Sequence, residues 1–263
     1  MGHSSYFIQI DGKKVLVDPV FSGNASPVSF TTKAYDGSDV YTYDDIPDLD
    51  YLIITHDHWD HLDYPTIMAL KPKINKIICG LGNRSHFEYW GFDSQQIIER
   101  DWYSTIQLEE GFQVHVTPAR HFSGRGFKRN RTLWASFAFM TPSSSIYIGG
   151  DSGYGKHFLE IGERYGPFDL AILENGQYDK NWKYIHMLPG EQVQAASNLK
   201  AKTLLPVHLG KFTLGNHDWD EPLSKIIENQ GVGGLRIITP MIGEKVNLLD
   251  ANQQFTHWWK NVN

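Results

Sequence analysis

The feature that most limits how this chain can fold is the stretch IITHDHWDHLD, residues 53–63, where three histidines and three aspartates stand at the end of an apolar run. The run reads as a short buried strand. The residues after it leave the sheet on a loop with a rigid base, which is where binding groups concentrate. In extended chain alternate side chains point the same way, so His56 and His58 can grip one ion while Asp60 and His61, past a turn, face another. Imidazole and carboxylate without sulfur suit zinc first, and also manganese or iron. The single cysteine, Cys79 in INKIICGLG, supplies neither an internal disulfide nor a thiolate cluster and reads as a buried strand residue.

The surrounding pattern is α/β. YFIQI and KKVLV flank Asp11-Gly12, a strong hairpin signal. DYLIIT, INKIICG, STIQLEEGFQVHVTPA, TLWASFAFMTP and SSIYIGGDS read as further strands, with short helices expected in YPTIMALKP and RSHFEYWGF, the latter ending at Gly91. From Tyr154 helix and strand alternate: GKHFLEIGERYG, FDLAILEN, PGEQVQAASNLKA with proline near its first turn, TLLPVHLG and DEPLSKIIENQG. This order predicts one domain over residues 1–263, a four-layer αββα sandwich with two sheets inside and helices outside.

THDHWDH resembles the HxHxDH signature of the metallo-β-lactamase superfamily, and that resemblance implies three further ligands downstream, each at the end of a strand. His121 in VTPARHFSG, Asp151 in IYIGGDSG and His208 in LLPVHLG stand in that order, and each follows an apolar run and precedes a glycine-containing turn. The resemblance implies a binuclear centre, with His56, His58 and His121 on one ion, Asp60, His61 and His208 on the other, and Asp151 bridging. It further implies hydrolysis by a hydroxide shared between two ions, zinc being expected, with Asp151 and Asp60 in catalytic roles.

Further segments are similar to the branch that holds N-acylphosphatidylethanolamine-hydrolysing phospholipase D and RomA-type proteins: GHSSYFIQIDGKKVLVDPVFS, DLDYLIITHDHWDHLD, ARHFSGRGFKRNRTLWASF and ENGQYDKNWKYIHMLPGEQVQA. The likeness covers most of the chain. It departs at Gly2-His3, which Met1 directly precedes where relatives carry a further segment, and in GRGFKRNRTLW, where no acidic residue stands before the asparagine. From this branch, His186 is expected to act near a reacting phosphate as an acid, His3 to lie near the metals and touch substrate, and Asp18 to support the histidine loop from behind. Arg125, Lys128 and Arg129 in RHFSGRGFKRNR are the expected contacts to a phosphate oxygen.

The expected reaction is therefore phosphodiester cleavage of a small or lipid-like ester. Lactone or acyl-ester hydrolysis, resembling L-ascorbate 6-phosphate lactonase, stays open on the same ligands, as does a metal-containing binding protein without turnover. A net charge of −6 argues against a nucleic-acid partner. No basic amphipathic helix supports membrane contact. GHSSYFIQI after Met1 lacks the basic start and apolar core of an export signal, so a cytoplasmic location is expected.

Overall fold

The structure is a computed structural model and describes residues 1–262. The first sheet has five strands in chain order: β1 (Tyr6–Ile10), β2 (Lys13–Val17), β3 (Leu49–Ile54), β4 (Ile74–Gly80) and β5 (Ile97–Arg100). β1 and β2 are antiparallel and the remaining pairs parallel. The Asp11-Gly12 hairpin forms as the sequence implies, with φ of 47° and 78° at its two residues, the positive pair that a tight primed turn requires.

The second sheet holds β6 (Thr105–Glu109), β7 (Phe112–Pro118), β8 (Ala135–Met140), β9 (Ser145–Ile148), β10 (Leu170–Glu174), β11 (Thr203–Val207) and β12 (Arg236–Ile237), in the spatial order β12-β11-β10-β9-β8-β7-β6. It is antiparallel from β6 to β9 and parallel from β9 to β12.

Strand alternation builds the layers. Val15, Val17 and Ile53 of the first sheet meet Val116, Phe137, Phe139, Ile148 and Ile172 of the second in one core between the sheets. Their neighbours in sequence point the other way: Leu16, Leu52, Ile77 and Cys79 pack on helices α1 (Tyr64–Leu70) and α2 (Arg84–Tyr89). Ala138, Tyr147, Ala171 and Leu173 pack on α3 (His157–Arg164), α4 (Glu191–Asn198) and α5 (Glu221–Ile227). Central strands are thus apolar on both faces, as strands covered on both sides must be. The architecture is the expected αββα sandwich.

Three details differ from the sequence reading. β5, in QQIIER, and the two-residue β12 carry too little periodicity to be seen beforehand. Pro189 lies outside α4, which begins after Gly190 at φ 92°. No helix among the described residues is long and apolar enough to cross a membrane.

Candidate metal centre

The centre assembles where β2, β3, β7, β9, β10 and β11 end. Asp18, immediately after β2, accepts the Thr55 N–H at 2.9 Å, the Thr55 hydroxyl at 2.6 Å and the His61 Nδ1–H at 2.8 Å. This fixes the His61 tautomer and leaves Nε2 as its free donor atom. At the end of β9, Gly150 has φ 60°, and a Cβ there would stand 2.9 Å from Thr55, so glycine is what lets the chain turn Asp151 inward against the histidine loop. His3, Asp18 and His208 adopt left-handed backbone at φ 52°, 40° and 64°. Glycine would take those angles without strain but would carry no side chain to the centre.

The donor atoms converge. His58 Nδ1 lies 3.0 Å from His56 Nε2 and 3.1 Å from His121 Nε2. Asp60 Oδ2 lies 3.4 Å from His61 Nε2 and 3.2 Å from His208 Nε2. Asp151 stands between the two sets: Oδ2 is 3.9 Å from His56 Nε2, 3.7 Å from His121 Nε2 and 3.2 Å from His208 Nε2, while Oδ1 is 3.3 Å from His61 Nε2. Ligand atoms about 2.0–2.1 Å from a tetrahedral zinc lie ~3.3 Å apart, so the spacing fits shared cations. His61 Nε2 and Asp151 Oδ1 are buried without a hydrogen-bond partner among the described residues, which is costly unless something else satisfies them.

The electrostatics sort the histidines. Burial, joined by the neighbouring His61, His58 and His121, pushes His56 well below the ordinary imidazole value, and burial does the same to His121 despite Asp151. Both are thereby held neutral, the ligating form. Burial alone would raise Asp60 and Asp151, but the surrounding histidines outweigh it and hold both carboxyls well below their usual range.

Beside these candidate ligands stands a pair of which the sequence names only His186. His186 donates from Nδ1 to Glu174 Oε2 at 2.6 Å, and the Met187 N–H donates to Glu174 Oε1 at 2.6 Å. The His186 ring is 5.1 Å from that of His121 and stacked 5.3 Å from that of His208. Burial disfavours its charge, but the Glu174 carboxylate outweighs burial and the imidazole is pushed up to about 9. In the sequence Glu174 reads as the end of a strand. Its signal was a charged residue closing the wholly buried run LAILE.

The residues expected to touch substrate divide. His3 is buried and its Nε2 meets Asp60 Oδ2 at 2.9 Å, so it braces a candidate ligand. Arg125 is likewise committed to the protein. Its guanidinium lies 3.7 Å from the centre of the Trp59 ring and donates to the carbonyl oxygens of Asp57 and Leu62. The Gly124 N–H donates to Asp57 Oδ1 at 2.7 Å, which locks the two loops together. Lys128 and Arg129 are exposed. Arg129 lies 4.9 Å from the Phe122 ring, and that ring packs 4.4 Å and 4.8 Å from His58 and His121.

The chain is similar to several known proteins. A family model described as a β-lactamase superfamily domain matches residues 13–209. Outer membrane protein RomA of Klebsiella pneumoniae is 66% identical over 106 residues, 40% of this chain and 80% of that protein. N-acyl-phosphatidylethanolamine-hydrolyzing phospholipase D 1 of Caenorhabditis elegans is 30% identical over 242 residues, 87% of this chain and 68% of that one. Among solved structures, the metallo hydrolase Igni18 of Ignicoccus hospitalis shares the fold with a TM-score of 0.66 at 21% identity, covering 90% of this chain and 91% of that chain.

Proposed function

The chain belongs to the metallo-β-lactamase superfamily of metal-dependent hydrolases, and from that premise we propose that it cleaves a phosphodiester in the manner of a phospholipase D. His56, His58 and His121 would hold one divalent ion, Asp60, His61 and His208 a second, and Asp151 would reach both, zinc being the first candidate. Ions so held supply Lewis acidity, polarising the ester oxygen and lowering the pKa of water toward 7.

The observation that carries the reading is the His186–Glu174 pair set against the ligand cluster. With Nδ1 tied to Glu174, Nε2 is the nitrogen left to give a proton to a departing alkoxide or to bond a phosphoryl oxygen. Glu174 holds the ring in position and balances its charge. The choice of phosphorus over carbonyl carbon draws support from Arg129, which lies over Phe122 next to His58 and His121 on a loop that also carries Lys128 and Arg131. A phosphodiester is anionic where a lactone is neutral, and guanidinium groups recognise phosphate oxygens well. Similarity to the nematode phospholipase D adds to this reading.

The test is hydrolysis of a chromogenic phosphodiester and of an N-acylated phosphatidylethanolamine by protein loaded with zinc or manganese, beside Asp151→Ala. The expected result is turnover that falls on the order of 100-fold or more in the variant, together with reduced bound metal. Turnover of lactones or acyl esters with none of phosphodiesters would replace this reading by the ester-hydrolase one. Full metal content with no turnover on any of them would leave a metal-binding protein.

A further inference from the structure

His121, Asp151 and His208 stand just past strand ends, but His186 lies within residues 175–190, which form neither helix nor strand. Its place at the centre therefore depends on contacts made from outside that segment. The turn that carries it closes on itself, with the Ile185 and His186 N–H groups donating to the Trp182 carbonyl oxygen at 2.8 Å and 3.0 Å. Glu174 ties the ring through Nδ1 and takes the Met187 N–H. The turn must still be seated against the loops that bring in His121 and Asp151.

Two neighbouring residues do this. His121 Nδ1–H donates to the Ile185 carbonyl oxygen at 2.9 Å, so the contact that orients a candidate ligand also touches the turn. Arg120, the residue before it, makes the larger set. Its guanidinium lies 4.3 Å from the centre of the Tyr184 ring, and its Nη1 donates to the Tyr154 carbonyl oxygen at 3.0 Å. Its main chain is held as well: its N–H donates to Ser152 Oγ at 2.9 Å, and its carbonyl oxygen accepts the Gly153 N–H at 2.9 Å. The packing is close, since a Cβ on Gly153 would collide with the Tyr184 carbonyl group. Arg120 thus joins the segments that carry His121, Asp151 and His186. Its side chain and that of Tyr184 are exposed, so a substitution at either leaves the fold standing.

We infer that Arg120 is a positioning residue for His186, acting through its stack on Tyr184. The inference rests on the reading that His186 gives its proton to a departing alkoxide. A guanidinium over a ring face is held by the ring's negative face and by its own hydrogen bonds, so it fixes the ring in direction as well as distance. Misplacing a reacting group by about 1 Å can cost on the order of 100-fold in rate. A loosened turn that still visits the right place costs less. The loss has a signature, because an alkoxide needs the proton to leave, whereas a nitrophenolate, a much weaker base, departs without it.

The experiment compares Arg120→Ala, Arg120→Lys, Tyr184→Ala and the Arg120→Ala/Tyr184→Ala double variant, all metal-loaded, on two substrates. One is an N-acylated phosphatidylethanolamine, cleaved with an alkoxide leaving group, and the other is bis(p-nitrophenyl) phosphate. Bound metal and amide hydrogen exchange over residues 182–187 are recorded beside turnover. The expected result is a kcat lowered on the order of 10-fold by Arg120→Ala and Tyr184→Ala on the lipid and by no more than about 2-fold on the nitrophenyl ester. KM and bound metal should stay unchanged, the double variant should fall no further than either single one, and Arg120→Lys should recover part of the rate. Exchange over 182–187 should quicken in Arg120→Ala. Equal losses on both substrates, or loss of metal with the rate, would overturn the positioning role, as would unchanged kcat on the lipid. If wild type cleaves neither substrate, the phosphodiesterase reading fails by itself; unchanged exchange in Arg120→Ala would then overturn the seating of the turn, and faster exchange would uphold it.

Discussion

Two segments of this chain are almost equally polar and end up in opposite circumstances. Residues 55–63 carry their charge inward: Asp57, Asp60 and His61 are buried, as is His56, and the side chains converge on one another. Residues 120–131 send one histidine, His121, into the same centre, bend Arg125 back over Trp59, and leave Lys128, Arg129 and Arg131 in solvent. The difference lies in what stands behind each loop. The first starts from a central strand with Asp18 beneath it, so its donors have partners on the protein side. The second is a long excursion between β7 and β8: Arg120 finds partners at Ser152, Tyr154 and Tyr184, Gly124 and Arg125 find them on the first loop, and residues 128, 129 and 131 stay exposed. Local composition predicts neither outcome. Burial of charge follows the supply of partners.

Substitutions sharpen this contrast in a graded order. The largest effect is expected inside the first loop: His58→Ala should lower hydrolysis on the order of 100-fold or more and reduce bound metal, measured by atomic emission beside turnover. Equal metal content and turnover would break the assignment. Asp18→Ala comes next, because it frees His61 from behind without removing a ligand. A loss of about 10–100-fold in metal affinity or rate is expected, as for other residues that orient ligands. Arg125→Ala should destabilise the fold by about 1–3 kcal/mol through the lost carbonyl hydrogen bonds and stacking, read by denaturant unfolding. A raised KM with unchanged stability would instead return Arg125 to the substrate. Lys128→Ala and Arg131→Ala, on exposed positions, should stay within about 0.5 kcal/mol of wild type. Cys79 offers a control outside both loops. It is buried and its thiol is pushed up by desolvation and then by Glu99, so it should resist alkylation until the protein unfolds.

Much of the fold was legible because its signals are local. Apolar β-rich runs such as KVLV, LII and SFAF state where strands lie, and Asp11-Gly12 states the turn. The candidate ligands were nameable for the same reason, since His56, His58, Asp60 and His61 sit within six residues, and His121, Asp151 and His208 each follow an apolar strand. β5 and β12 were not legible, being short edge strands whose existence depends on their neighbours. Glu174 was missed for a related reason. Its partner His186 is twelve residues away beyond an irregular turn, and a lone acidic residue at a strand end carries no spacing to read.

The sequence by itself thus determined the two-sheet fold class, the hairpin and a set of candidate donor residues, because strand runs, turn chemistry and ligand type are properties of short segments. Only the tertiary structure decided that His3 braces Asp60, that Arg125 serves Trp59 and the first loop, that Glu174 holds His186, and that Arg120 rests on Tyr184. Each of these depends on which groups from distant parts of the chain arrive at the same place. A buried polar atom is defined by its partners, and partners are a property of the packed whole.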